Sequence, residues 1–309
     1  MIDAVILTSN SRELALRCVA HTVADPAVAR VILVDNASSD GTAEAVQGAH
    51  PEVEVLALAE HTGLAAALNR GAERGTNPYV LYLNDDVFAA NGAIAGLLAA
   101  LEERPDAAAA GGRLTNDDLS TQDQYRPRSF PGAIALSLRL LGIDRWWPAN
   151  PLTGTHLRRP LDDETTVEAD QPAGACLLVR RSAVDAVGGW DERYWFWYED
   201  VDFSRRVARD AGATLYVPSA PFRHLGGATT TRWSLADQHR RTYYGMLLYA
   251  QSHLSRAGQL LVAATMATVC LLRVGLARVR REEEAAVYRG CLEQVRSLAA
   301  GRPVARIRA

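Results

Sequence analysis

Residues 79–87 read Tyr-Val-Leu-Tyr-Leu-Asn-Asp-Asp-Val, an apolar run that ends in an amide and two carboxylates. The run is long enough for a buried strand, but ionised side chains are too costly to leave unpaired in an apolar interior. The strand must therefore emerge at Asn84, Asp85 and Asp86. In open α/β sheets the carboxyl ends of strands are where ligands bind. Asp at a strand-to-helix junction also serves as a helix N-cap, so capping is the competing reading. If the segment stays extended as far as Val87, Asn84 and Asp86 face one side and Asp85 the other.

A second acidic group follows a run of rings: Tyr194-Trp-Phe-Trp-Tyr198 leads into Glu199-Asp200-Val-Asp202, with Arg205 and Arg206 behind. Rings exclude water, which raises a nearby carboxylate's pKa and makes it a better base. The same three carboxylates could start a helix, favoured by its dipole and paired with the following arginines. The two readings are compatible, because a helix N-terminus is a rigid place to hold a catalytic acid.

Short apolar runs alternate with helical patterns through the first third. Strands are expected at Ala4–Leu7, Val31–Val34, Val53–Leu58 and Tyr79–Leu83, and helices at Arg12–Ala24, Thr42–Ala49 and Gly63–Arg74. This rhythm predicts parallel βαβ units and a three-layer α/β domain. A helix at Ala93–Glu103 and a strand at Ala107–Gly111 come next. From Thr115 to Gln171 the pattern becomes irregular, as in functional loops. Order returns with a strand at Ala175–Val179, a short helix from Ser182, and a strand at Thr214–Val217 that stops before Pro218 and Pro221. The remainder reads as helix. The expected division is a catalytic domain over residues 1–230, with a nucleotide-binding half at 1–112 and an acceptor-binding half at 113–230, and a C-terminal helical segment at 231–309.

The net charge of −3 argues against a sequence-independent nucleic-acid binder. All 33 basic residues are arginine, which rules out Schiff-base chemistry and a Walker-type phosphate loop. Cys18, Cys176, Cys270 and Cys291 are widely spaced and read as buried free thiols of a reducing cytosol. The N-terminus enters an apolar strand directly, so no signal peptide is expected.

Several of these segments stand in a recognisable order, and the chain resembles the family-2 glycosyltransferases, with their GT-A nucleotide-sugar fold, and in particular the bacterial rhamnosyltransferase-like branch. The resemblance runs from Ile2 to Gly227. Thr8-Ser9-Asn10 and Val34-Asp35-Asn36 resemble nucleoside-binding strand ends. Gly63 through Asn69-Arg70-Gly71 is similar to the family's helix beside the nucleotide. Asn84-Asp85-Asp86 resembles the D-x-D metal motif, Gly174 through Arg180 the acceptor-side strand, and Gly188-Gly-Trp-Asp191-Glu192 the segment before the Glu-Asp pair. His224 falls where related enzymes place a metal-ligating histidine. In two places the chain departs from the pattern: Asn84 occupies the first D-x-D position, and His61 stands where many relatives have asparagine.

The resemblance implies an inverting, metal-dependent hexosyltransferase. Asp200 would be the general base, with Glu199 positioning the acceptor or the base. Mg²⁺ or Mn²⁺ would be held by Asp86 and His224. Thr8, Asn10, Asp35, Asn69 and Asp85 would bind the nucleotide-sugar, Asp85 on the ribose side, while Trp197 and Asp191 would lie on the acceptor side. Because a carboxylate only accepts hydrogen bonds, Asp35 complements the imide N–H of a pyrimidine and favours UDP or dTDP over CDP. The expected donor is a UDP- or dTDP-sugar, with dTDP-rhamnose a candidate, and the expected acceptor a cell-surface glycan or polyprenyl-linked sugar. The expected location is the cytoplasm, at the inner face of the membrane. The alternatives are a non-catalytic nucleotide-sugar or glycan-binding protein, and a sugar nucleotidyltransferase; for the latter, Ile6-Leu-Thr-Ser-Asn10 lacks the Gly-rich phosphate loop.

Residues 257–281 are a separate matter. The uncharged run Ala257–Leu272 is 16 residues, short of the roughly 20 needed to span a bilayer. Two readings remain: a buried helix, or an interfacial helix that makes peripheral membrane contact with Arg273, Arg278, Arg280 and Arg281 near anionic headgroups.

Overall fold

The computed structural model describes residues 1–147, 152, 163–226, 233–277 and 282–305. The described residues fall into two compact units. One is drawn from Met1–Arg128, Arg159–Glu192 and Asp200–Ala228, the other from Ser129–Arg158, Arg193–Glu199 and Thr229–Ala309.

The first unit is built on a nine-stranded sheet. Strands β1 (Ile2–Thr8), β2 (Val28–Asp35), β3 (Glu54–Ala57) and β4 (Tyr79–Asn84) pair in parallel in the order β3-β2-β1-β4. Their connections are α1 (Arg12–Val23), α2 (Thr42–Ala49) and α3 (Leu64–Ala72). Beyond β4 the sheet becomes mixed. After β5 (Val87–Ala89), α4 (Ala93–Glu103), β6 (Ala107–Thr115) and β7 (Val167–Glu168), strand β8 (Cys176–Arg180) inserts antiparallel between β4 and β6. Then α7 (Arg181–Val187), α8 (Glu199–Asp210) and β9 (Ala213–His224) complete the unit; β9 runs parallel to β6 and antiparallel to β5 and β7.

Alternate residues of β1 supply two cores, as a strand covered on both faces requires. Ile2, Ala4 and Ile6 join Cys18 and Val19 of α1 and Leu97 of α4. Val5 joins Ile32, Val34, Leu68, Trp190 and Phe203 on the other face, where Trp190 and Phe203 stack with centroids 4.2 Å apart. Helix α3 approaches closely because Gly71 has no side chain: a Cβ there would lie 2.4 Å from Val5 Cγ1.

Three expectations are corrected. First, the strand from Tyr79 does not stay extended to Val87. It ends at Asn84, and Asp85-Asp86 form a turn, because Val87 starts β5 opposite His224 and Leu225 N–H donates to Asp86 O. The odd–even separation of Asp85 from Asp86 therefore does not apply. Second, β9 continues through Pro218 and Pro221. The register jumps from Gly112↔Val217 to Arg113↔Pro221, so residues 218–220 form a bulge in which a proline's missing donor costs no ladder bond. Third, the stretch from Thr115 to Gln171 is only partly irregular. It contains α5 (Ala133–Leu140) and α6 (Ile143–Trp146), while residues 148–151 and 153–162 lie outside the described residues.

The second unit holds α5 and α6, with α9 (Leu235–His253), α10 (Arg256–Ala277) and α11 (Glu282–Ala299). Helix α10 packs on α5, α9 and α11. It continues through Arg273 and is 22 residues long, so by length and composition alone it passes as a membrane span, a test that core helices also pass. Arg278, Arg280 and Arg281, like Gly227, lie outside the described residues. All four cysteines are free and buried.

Candidate active site

At the carboxyl ends of β1 and β2 the polar side chains hold one another. Thr8 Oγ1 donates to Asp85 Oδ2 at 2.7 Å, tying β1 to the acidic turn. Asn10, with φ +52°, accepts from Ser39 N–H at 2.9 Å, and its own N–H donates to Ser38 Oγ at 2.8 Å. Buried Asp35 accepts Ser38 N–H on Oδ1 at 2.8 Å. Arg12, Ser38, Ser39, Gly41 and Glu44 help to line an open depression of about 640 Å³ beside this turn; its lining includes neither Asp86 nor Asp200.

Asp86 and His224, distant in sequence, meet through the β5–β9 pairing, with His224 Nε2 3.7 Å from Asp86 Oδ1. Both are buried. His224 Nδ1 lies 2.9 Å from Gln122 Oε1, and Gln122 Nε2 donates to His224 O at 2.8 Å. Since the amide oxygen only accepts, this arrangement assigns the ring proton to Nδ1 and leaves the Nε2 lone pair facing Asp86. Burial pulls the imidazole below its usual range, and Asp86 works in the opposite direction. Tyr125 packs edge-on against the ring, centroids 4.6 Å apart. A carboxylate oxygen and an uncharged imidazole nitrogen form a donor pair that fits a divalent cation. Among the described residues no group of three His, Cys, Asp or Glu side chains could hold one, so the remaining ligands would come from the bound substrate and water.

Asp200 stands in the first turn of α8. Its Oδ1 accepts Val201 N–H at 2.8 Å and its Oδ2 accepts Gln171 Nε2 at 3.1 Å. Burial lifts the carboxyl above the usual carboxylate range, against the pull of the Val201 N–H, the Arg128 charge, Gln171 and the Gly174 N–H. Gly174 lets it come close: a Cβ there would lie 2.6 Å from Asp200 Cβ. The next residue, Ala175, accepts Asn84 N–H on its carbonyl at 3.1 Å, so the backbone of residues 174–175 links Asp200 to the end of β4, where Asp85 and Asp86 stand. Asp202, in contrast, pairs with Arg206 Nε at 2.8 Å and serves α8 itself.

Other sequence-derived positions are placed differently. The Asn69 side chain is committed to Trp190: Oδ1 accepts Trp190 N–H at 2.8 Å, and Nδ2 donates to Trp190 O at 2.9 Å and to Glu192 Oε1 at 3.2 Å. It clamps the turn that precedes Asp191, which is partly buried. In the second unit Trp197 and Tyr198 take φ of +67° and +70°. Their backbone lies against α9, where a Cβ on Gly245 would meet Trp197 O at 2.5 Å. Trp197 packs edge-on against Phe196 and Trp233, and Glu199 is buried at the start of α8.

Sequence reasoning missed Gln122, Arg128 and Gln171. All three lie in the stretch without periodicity, and Arg128 and Gln171 find each other through an isolated antiparallel bridge. Nothing in the local sequence marks them.

Comparison with known proteins gives consistent matches. The model of glycosyl transferase family 2 matches residues 3–188, and that of glycosyl transferase family group 2 matches residues 166–287. N-acetylglucosaminyl-diphospho-decaprenol L-rhamnosyltransferase of Mycobacterium tuberculosis is 33% identical over 231 residues, covering 69% of this chain and 73% of its own. Among solved structures, GalNAc-T7 with UDP, GalNAc and Mn²⁺ matches 82% of the chain with a TM-score of 0.54 at 16% identity, and the chain spans about half (52%) of that protein. The mannosyltransferase PcManGT of Pyrobaculum calidifontis, in complex with GDP-Man and Mn²⁺, matches 97% of this chain and 85% of its own, with a TM-score of 0.52 at 15% identity.

Proposed function

The chain belongs to glycosyl transferase family 2, in its rhamnosyltransferase-like branch and with the GT-A fold, and from that premise we propose that it transfers a sugar from a UDP- or dTDP-sugar, dTDP-rhamnose foremost, to a hydroxyl of a polyprenyl-linked or cell-surface glycan, with inversion. The observation that carries the reading is the placement of two chemically distinct stations at the end of β4. One is the Asp86–His224 pair; the other is Asp200, tied to the strand end through Ala175 and Gly174.

Asp200 removes the proton from the acceptor hydroxyl. Its raised pKa makes it a stronger base than a solvated carboxylate, and Gln171 and the Val201 N–H fix its direction. Glu199, the preceding residue, positions the acceptor or the base, with Trp197 and Asp191 on the acceptor side. Mg²⁺ or Mn²⁺ held by Asp86 and His224 would offset charge on the departing diphosphate. Thr8, Asn10, Asp35 and Asp85 receive the nucleoside: Asp35 reads the imide N–H, and Asp85, fixed by Thr8, takes the ribose. Asn69 supports this side by holding the turn at Trp190. Nucleotide recognition falls to residues 1–112 and acceptor recognition to 113–230, with 231–309 as a helical segment. The enzyme works in the cytoplasm at the inner membrane face.

A nucleotide-sugar panel scored by binding, followed by transfer to a polyprenyl-diphosphate-linked N-acetylglucosamine, tests this reading. UDP- or dTDP-sugars should bind best and release nucleotide only when acceptor is present. Preference for CDP-sugars would overturn the role of Asp35, and binding of donor without transfer to any polyprenyl-linked or glycan acceptor would overturn the reaction.

A further inference from the structure

Helix α10 turns an uncharged face to solvent. Leu260, Leu261, Leu271, Leu272 and Leu276 recur at helical spacing, and each is between 44% and 72% exposed. The two hydroxyls on this side bond to the helix's own carbonyls: Thr265 Oγ1 donates to Leu261 O at 2.9 Å and Thr268 Oγ1 to Ala264 O at 3.1 Å. The opposite face, with Val262, Met266, Cys270 and Val274, is buried against α5, α9 and α11.

Helix α5, packed on α10, and α6, packed on α5, carry further exposed apolar side chains. Ile134, Leu141, Trp146 and Trp147 are all more than half exposed, Trp146 at 89%, and Arg139 and Arg145 stand exposed among them. Tryptophan beside arginine is the composition of a bilayer's headgroup level. The charge of the unit points the same way. Its segments carry 17 arginines against 7 Asp and Glu, a net +10, whereas the sheet-bearing unit carries 16 arginines against 29, a net −13.

We infer that α5, α6 and the outer face of α10 form a docking surface for an anionic lipid bilayer, with α10 lying in the plane of the interface, its leucines among the acyl chains and Arg139 and Arg145 at the headgroups. A second copy of the chain fits this surface less well, since two units at +10 repel. Nucleic acid fits less well still, because α10 carries no charge from Ala257 to Leu272. Insertion across the bilayer would drag α9, with Asp237, Arg240 and Arg241, into hydrocarbon. The inference rests on the lipid-linked acceptor proposed above for its purpose; its physical support is the surface itself.

Flotation of the full chain with vesicles of equal parts phosphatidylcholine and phosphatidylglycerol tests it, beside phosphatidylcholine alone. Wild type should float with the anionic vesicles and be released at high salt. Leu261→Glu with Leu272→Glu, at exposed positions, should weaken partitioning by about tenfold or more. That variant should still transfer sugar to a water-soluble acceptor glycoside, so loss of membrane docking reads separately from failure of the proposed reaction. Trp146→Phe with Trp147→Phe, a mild change, should reduce fluorescence quenching by brominated lipids. Wild type that stays unbound at low salt, a leucine variant that floats normally, unchanged lipid quenching, or a vesicle-indifferent dimer that the leucine variant dissociates would each overturn the inference.

Discussion

His224 presents Nε2 to Asp86 Oδ1 at 3.7 Å while Gln122 holds the other ring nitrogen at 2.9 Å. The glutamine thereby sets the tautomer of a candidate metal ligand, and outer partners of this kind commonly tune metal affinity. Gln122→Leu should weaken Mn²⁺ binding in the presence of UDP by about 10- to 100-fold. Asp86→Ala should weaken metal and donor together. A metal titration unchanged in both variants would remove the pair from the site.

Asp200→Asn should retain donor binding and lose transfer by about 10²-fold or more, the scale of a general base. Because the folded pKa is raised, ionising Asp200 costs stability as pH climbs from the unfolded value through the folded one. The Asn variant should therefore melt at or above the wild-type temperature at neutral pH. A well-folded variant with near-normal transfer would remove Asp200 as the base.

The pH profile follows from the same shift. As the proposed base, Asp200 must be ionised for transfer, so the rate should fall as pH drops through a pKa above the ordinary Asp range. Gln171 donates to the charged form, and Gln171→Leu should move this acid limb to higher pH. A limb that stays in place would show that another group controls it.

Gly174→Ala places a methyl 2.6 Å from Asp200 Cβ. Overpacking of this kind costs about 1–3 kcal/mol, and relief requires displacing Asp200. The expected outcome is a lower melting temperature together with a kcat loss greater than the loss in donor affinity.

Asn69→Ala breaks both hydrogen bonds to the Trp190 backbone, leaves buried peptide groups unsatisfied, and should cost about 1–3 kcal/mol. Nucleotide affinity should change only in step with stability. A large loss of affinity in a fully stable variant would show direct contact with the nucleotide instead.

Several elements were legible because their signals are local. The βαβ rhythm gave β1, β2, β4 and helices α1 to α4 within a few residues, since periodicity and burial are written in adjacent positions. The order of Asp35, Asn84-Asp85-Asp86, Glu199-Asp200 and His224 pointed to the family by the same route. The continuation of β9 through Pro218 and Pro221 was not legible, because a bulge is defined by the partner strand.

What the sequence determined by itself was the set of acids at the end of β4; the expectation that this end opens outward is corrected, because the structure buries Asp85 under the Thr8 hydroxyl and Asp86 beside His224. Tertiary structure alone decided what surrounds the acids. Antiparallel pairing of β5 with β9 brought Asp86 to His224, Gly174 gave Asp200 its close backing, and Gln122 and Gln171 came from unpatterned chain to orient them. Long-range pairing brings such partners together whatever the distance between them in sequence, so nothing in the residues next to Gln122 or Gln171 marks the contact they will make.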